Sequence, residues 1–356
     1  MQTDFQQNLV KDAVKLLKDL IATPSFSREE QKTADILSAF FEANEIPYQR
    51  HLNNVWAVTE NFDPGKPTIL LNSHHDTVKP NPQYTRDPFE PAEEGGKLFG
   101  LGSNDAGGCL VSLIAAFRYF YSKAGNSFNL IMAATAEEEI SGTNGIESLI
   151  PLLPKVDFAI VGEPTQMNLA VSEKGLLVID CTAFGKAGHA AREEGDNAIY
   201  KALKDIEWFR TYSFPRISDT LGPVKMNVTV VHTENKAHNM VPATCNFTVD
   251  IRVTDAYTHE EILEIIKSNV SSEIKPRSVR MRATTISPEH PLVKAGLALG
   301  KRIYGSPTSS DKALMPFPAL KCGPGDSARS HTADEFIYLK EIEEGIDTYI
   351  RLLGQL

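Results

Sequence analysis

The chain has 356 residues, 42% of them hydrophobic and 23% charged, with a formal net charge of −10. A chain of this size buries a substantial core and has room for two domains, its composition excludes disordered, collagenous and coiled-coil classes, and its acidity argues against nucleic acid or an anionic membrane as the main partner. Cysteines at 109, 181, 245 and 322 lie far apart with no C-x-x-C pair, so neither a disulfide framework nor a thiolate metal site is expected, and a reducing compartment fits.

The first segment, "MQTDFQQNLVKDAVKLLKDLIATPS", places Leu9, Ala13, Leu16, Leu17 and Leu20 on one helical face, interrupted by Lys11, Asp12, Lys15 and Asp19. That spacing predicts an amphipathic helix of the mature fold, not a signal peptide. No apolar run approaches the roughly eighteen residues a membrane span needs, and the expected location is the cytoplasm.

Further along, short apolar runs end in concentrations of potential ligands. "PTILLN" leads into His74, His75 and Asp76; "FNLIMAAT" leads into Glu137, Glu138 and Glu139; "VDFAIV" leads into Glu163; "PALKC" leads into Asp326 and His331. These runs alternate with helical patterns at 110–121 and 336–353, which predicts an α/β fold with a mostly parallel sheet covered by helices on both faces. Ligands of such sheets gather at the carboxyl ends of the strands, so the clusters point to one crevice. Between them the chain reads as strand (about 170–183), helix (197–212), strands (226–232 and 244–253), helix (258–271) and strand (278–285). This β-α-β-β-α-β order is ferredoxin-like, and it predicts a domain of 170–284 inserted into a catalytic domain of 1–169 and 285–356.

Each cluster also has a plain structural reading. His74-His75-Asp76 could be a polar turn, although its H-x-D spacing lets His74 hold a metal while Asp76 takes the other ring nitrogen; His75 points to the opposite side and reads as packing. In "FGLGSNDAGG" only Gly100 and Gly102 fit the dinucleotide fingerprint, because position six is Asp105. That stretch reads instead as a loop presenting Asp105 and closed by Gly107 and Gly108, or as an N-cap. Three adjacent glutamates could be a solvated loop, yet two neighbouring carboxylates can also divide metal binding from proton transfer. Glu163 could be an exposed turn residue. His331 falls where a helix is expected to begin, with Thr332 as its cap and Glu335 in its first turn. Taken together, two histidines and several carboxylates without a thiolate suit zinc, cobalt or manganese. One metal needs three protein ligands, so the surplus suggests two.

On these residues the chain resembles the dinuclear zinc amidohydrolases, the family that includes acetylornithine deacetylase, succinyl-diaminopimelate desuccinylase and aminoacylase. "SHHDTVKP", "GLGSNDAGG", "TAEEEISG", "VGEPT" and "GPGDSARSHTADEF" look like its five motifs in order. The resemblance implies two Zn2+ ions, with Co2+ or Mn2+ as substitutes, bridged by Asp105, with His74 and Glu163 completing one site and Glu139 and His331 the other. It further implies Glu138 as general base, Asp76 as the residue orienting His74, and a cis peptide between Asp105 and Ala106. The inserted domain resembles the family's lid and dimerisation domain, in which His189 reaches the partner subunit's site and stabilises the oxyanion. Where the family usually has Asp-Glu-Glu this chain has Glu137-Glu138-Glu139, so the roles within the run rest on its position before Ile140.

The implied substrate is a small N-acyl amino acid. Lys174, Asn239 and Arg252 are candidates for its free carboxylate, with Ser309, Ser310 and Asp311 in a loop resembling one that faces substrate. Arg252 could equally be a structural pair and Lys174 an exposed turn residue. The preferred reading is removal of an acetyl or succinyl group from ornithine or citrulline in arginine biosynthesis. Succinyl-diaminopimelate desuccinylase, a dipeptidase or exopeptidase, and a non-catalytic metal-binding protein are the alternatives.

Overall fold

The apolar stripe of the first segment forms α1 (Asp4–Ile21), whose Leu9, Ala13, Leu16, Leu17 and Leu20 are all buried. The computed structural model describes residues 4–123, 125–192 and 194–356. After α1 come α2 (Gln31–Ala43), β1 (Tyr48–His51), β2 (Asn54–Val58), β3 (Thr68–His74), α3 (Gly108–Phe120), β4 (Asn129–Thr135), β5 (Phe158–Val161) and β6 (Leu169–Glu173). Next are β7 (Gly175–Phe184), α4 (Ala198–Thr211), β8 (Lys225–His232), β9 (Thr244–Val253), α5 (His259–Lys267) and β10 (Glu273–Pro276). The chain closes with α6 (Pro291–Ala298), β11 (Ala319–Lys321) and α7 (Leu339–Leu353).

Two compact units result, one of the chain through Val171 with Ile286–Tyr304 and Ser310–Leu356, the other of Ser172–Thr285 with Gly305–Ser309. In the first, strands lie in the order β1-β2-β4-β3-β5-β11-β6. The central four, β4, β3, β5 and β11, are parallel, and antiparallel strands flank them. This is the α/β arrangement with a mostly parallel centre. Every residue of β3 and β4 is buried, as parallel strands covered on both faces require. Because successive side chains alternate, Ile69 and Leu71 join the core built with α1, α2, α3 and α7, while Leu70 packs on the other face with Ile146, Leu149 and Met315.

In the second unit the strands lie in the order β8-β9-β7-β10, all antiparallel. Leu177, Ile179 and Cys181 of β7 alternate inward and meet Phe247, Val249 and Ile251 of β9, with Phe209 of α4 and Ile262 of α5 closing the core. A reciprocal Thr258 and Glu261 box starts α5. Residues 305–309 are tied in by main-chain and side-chain bonds: Lys174 N–H donates to Ser306 O at 3.1 Å, and Ser309 Oγ donates to Lys174 O at 2.7 Å.

Four expectations need correction. The strand read at 170–183 is broken at Lys174, where the chain leaves β6 for β7. The helix read at 258–271 ends at Lys267. The fourth strand of the antiparallel sheet is Glu273–Pro276, not 278–285, of which Thr284–Thr285 alone is a strand. Ile274 packs on this unit's core, and Pro276 is tolerated because β10 is at the sheet edge. Finally, 336–338 is a strand paired with Lys97–Phe99, and α7 starts only at Leu339.

Candidate metal centre

Parallel strands put their carboxyl ends on one edge, and there β3 ends at His74, β4 runs into Glu137–Glu139 and β5 runs into Glu163. Asp105 lies in a kinked turn, Ser103–Gly107, that feeds directly into α3; its own backbone there is not helical (φ −118°, ψ 95°), and its peptide bond to Ala106 is cis. The turn packs tightly: a Cβ on Gly107 would lie 2.5 Å from Gly102 O and 2.6 Å from the Leu17 side chain. Asp105 does not cap α3 through its side chain.

The two imidazoles face separate oxygens of this one carboxylate. His74 Nε2 lies 3.5 Å from Asp105 Oδ1, and His331 Nε2 lies 3.5 Å from Asp105 Oδ2. Glu163 Oε1 stands 3.8 Å from His74 Nε2, and Glu139 Oε2 stands 3.0 Å from His331 Nε2. Ligand atoms of His74, Glu138 and Glu163 lie within 4.8 Å of one another, as do those of His74, Asp105 and Glu139. His74 Nδ1 is 2.9 Å from the main-chain carbonyl of Asp76. A carbonyl only accepts, so Nδ1 carries a proton and Nε2 is the nitrogen left to bind something else. Nε2 is buried and makes no hydrogen bond. A buried ring nitrogen without a partner, surrounded by carboxylate oxygens, fits a divalent cation held by nitrogen and oxygen donors. All four cysteines are buried, free thiols outside this set.

Charge crowding sets the protonation states without cations. Burial, and then the charges of Asp105 and Glu139, pushes Glu163 up to about 8, against the pull of Lys321 and His74. Burial followed by Glu163, Asp311 and Glu139 raises Glu138 well above the usual carboxylate range. The hydrogen bond that His331 donates to Glu139 is the main cause that lifts His331 to about 9. Burial opposes ionisation of both His74 and Asp105, yet their mutual contact raises the imidazole and lowers the carboxyl. Protons thus occupy the positions that cations would take.

Comparison with known proteins agrees with this centre. Residues 70–355 match peptidase family M20/M25/M40. The chain belongs to that family. It is 28% identical to a succinyl-diaminopimelate desuccinylase of Ruegeria sp. (strain TM1040) over 269 residues, covering 71% of this chain and 68% of the relative. It is also 28% identical to the acetylornithine deacetylase of Proteus mirabilis (strain HI4320) over 378 residues, 96% of this chain and 95% of that one. A dinuclear metal-binding M20 peptidase of Bacillus subtilis shares its fold with a TM-score of 0.70 at 14% identity, over 98% of each chain. As a member of M20/M25/M40 the protein is a metal-dependent hydrolase of amide bonds.

Other residues in this M20 chain hold the centre in place, and several were read differently from the sequence. Asp76 reaches His74 mainly through its carbonyl; its carboxylate is 3.4 Å from Nδ1 and accepts from Ser27 Oγ at 2.7 Å and from the Glu138 and Glu139 N–H groups at 3.1 and 3.2 Å. Glu137 turns away to accept from Asn144 Nδ2 at 2.8 Å, and its carboxylate fills the space a side chain at Gly142 would need. Asp311, read as facing substrate, is a buried carboxyl accepting from Thr135 Oγ1 at 2.7 Å, pushed up to about 6 by burial and held back by that bond. His75 packs as expected, its ring nitrogens on Thr33 Oγ1 and Asn53 O. Glu163 is buried, not an exposed turn. His331 lies in an irregular turn with φ 60°; neither it nor Thr332 starts a helix, and α7 opens only at Leu339, where Tyr338 N–H donates to Glu341 Oε2 at 3.0 Å.

The remaining candidates belong to the second unit. His189 is exposed on a two-residue strand paired with Met240–Val241, and its Nδ1 accepts from Ala191 N–H at 3.1 Å. Asn239 is exposed, and its carbonyl accepts from Ala190 N–H. Arg252 is held by Asp250 at 2.8 and 3.1 Å. Lys174 is buried, donates to Pro223 O at 3.4 Å, and has its pKa lowered by burial, then by Lys225 and Arg252. Lys225 was not singled out from sequence, because only the register that places it opposite Arg252 shows the clustering of these cations.

Proposed function

We propose that the chain removes the acyl group from a small N-acyl amino acid, with two divalent cations, Zn2+ by preference, held at this centre. The observation that carries the reading is the pair of imidazoles facing the two oxygens of Asp105, one of them with a buried nitrogen that makes no hydrogen bond. In it Asp105 bridges, His74 and Glu163 complete one site, and Glu139 and His331 complete the other. Bound cations would polarise the amide carbonyl and acidify water. Glu138, half-buried and not needed as a ligand, takes a proton from the attacking water and returns it to the departing nitrogen. Asp76 fixes both His74 and the backbone of Glu138 and Glu139. His189 is assigned to the developing oxyanion.

For the substrate we favour acetyl- or succinyl-ornithine or -citrulline, as in arginine biosynthesis. Lys174 and Arg252, with Ser309 bonded to the Lys174 carbonyl, are assigned to an anionic group, as is Asn239, which lies near His189 at the other end of the antiparallel sheet. A second reading, succinyl-diaminopimelate desuccinylase, is favoured by the clustering of Lys225 with Lys174 and Arg252 and by relatives of that name. We further propose a homodimer through the second unit, where Val230 and Val231 on the edge strand β8 and Tyr200 and Leu203 on α4 are exposed. No described helix is long and apolar enough to cross a membrane, and the free cysteines support a reducing, cytoplasmic setting.

Metal analysis followed by a panel of N-acetyl and N-succinyl amino acids and dipeptides tests the reading. Two cations per chain and turnover of one acyl class are expected. Tight cation binding with no hydrolysis of any member would favour a non-catalytic protein.

A further inference from the structure

Glu335 lies four residues beyond His331 and is 2% exposed, yet it belongs to neither group of candidate ligands. Its carboxylate accepts three main-chain N–H groups from one turn. Oε2 accepts from Gly102 at 3.2 Å, and Oε1 accepts from Asn104 at 2.8 Å and Asp105 at 2.9 Å. Its own carbonyl accepts from Gly100 N–H at 3.0 Å, and its N–H donates to Tyr84 Oη at 3.3 Å. Asn104 adds a second link between the same loops, its side chain donating to Asp326 O and accepting from Asp326 N–H, each at 3.0 Å.

These bonds have a geometric consequence. Successive N–H groups converging on one carboxyl group form a cradle in which each bond fixes the orientation of a peptide plane, and these bonds hold back the rise to about 8 that burial and the Asp105 charge impose on Glu335. The peptide planes fixed here are those leading into Asp105, whose two oxygens face His74 and His331 at the same 3.5 Å. A small rotation of that backbone would swing one oxygen off its imidazole.

We propose that Glu335 is a positioning residue that sets the backbone of Asp105, so that both oxygens of this one carboxylate can be shared between two cations. The proposal rests on the paired-cation reading above. Because Glu335 and His331 share one short segment, that segment carries both a ligand of one site and the anchor of the bridge.

Stepwise titration of metal-free protein with Co2+, followed by visible absorbance and calorimetry, tests this on the wild-type chain and on E335Q. The glutamine keeps one accepting oxygen but turns an N–H2 toward one of the three donors. In E335Q the second Co2+ should bind 10- to 100-fold more weakly, the usual effect of losing a group that orients a ligand. The Co2+ spectrum should change, and kcat for the best panel substrate should fall with KM nearly unchanged. Thermal unfolding of the two metal-free proteins measures the structural cost separately: E335Q should unfold a few degrees lower, because one buried N–H loses its acceptor. If E335Q does not fold, E335D carries the test, since it keeps the carboxyl group but falls one methylene short of the turn. Wild-type affinity for the second Co2+ in whichever variant folds overturns the proposal. A wild-type chain that takes up fewer than two cations overturns the paired-cation reading and the proposal with it, which distinguishes the two failures.

Discussion

At the ends of parallel strands, the first unit gathers Asp105, Glu138, Glu139 and Glu163 with His74 and His331, and burial lifts several of these acids far from their usual range. In the antiparallel second unit it is cations that collect, with Lys225 directly across from Arg252 and Lys174 just before the start of β7. A buried cluster whose acids outnumber the nearby cations, Lys321 among them, suits metal ions, whereas a cationic cluster suits an anionic ligand. On the proposed reading the chain separates the groups that do the chemistry from those that recognise a charged substrate, and changes in the two should leave different kinetic marks.

The largest break in this contrast is Glu138→Gln. Turnover should fall by about 10²- to 10⁴-fold, the range of general acid-base catalysis, with both cations still bound; mass spectrometry of the metal content beside steady-state rates checks it, and near-normal turnover would remove Glu138 as the base. Asp76→Asn should come next, because it weakens the acceptor of the Glu138 and Glu139 N–H groups, and a loss of about 10- to 100-fold in activity or cation affinity is expected. Lys174→Met should instead raise KM by about tenfold, a single charge-assisted contact, and leave cation binding alone. An unchanged KM would detach the second unit's cations from substrate binding. The smallest effect is expected of Glu137→Gln, within a few fold of wild type, since its carboxylate serves Asn144 and not the centre.

A pH series sharpens the comparison without mutation. Glu163, at about 8 in the folded metal-free chain against an ordinary 4.5, holds a proton that the unfolded chain releases, so metal-free stability falls as pH rises between these values. His331, at about 9 against 6.5, acts with the same sign: its contribution is complete below 6.5 and lost as pH rises through 9. Cations replace those protons. The gap in Tm between cation-loaded and metal-free protein should therefore widen from about pH 5 to about pH 9, and calorimetric titration should show proton release on cation binding. A gap that narrowed with rising pH would contradict the shared-proton picture.

Much of the first unit could be read from the chain because its signals are local. A buried parallel strand writes itself as an unbroken apolar run, so "PTILLN" and "FNLIMAAT" marked β3 and β4, and the polar residues after them marked the strand ends. The stripe of α1 was legible for the same reason. The edge of the antiparallel sheet was not: Val279 and Met281 alternate as a strand would, but pairing with β7 goes to Glu273–Pro276, because register depends on partners distant in sequence.

Residue types and their order determined the α/β class, the family and the set of candidate ligands, since those properties follow from periodicity and from which side chains can bind a cation. Tertiary structure alone decided what each acid does. Asp76, Glu137, Asp311 and Glu335 are as acidic as Glu138 or Glu163, yet the first four are bound by main-chain N–H groups, an amide or a hydroxyl, while Glu138 and Glu163 face the centre. A carboxylate's role is set by the donors that packing brings within about 3 Å, and those donors come from segments far apart in the chain.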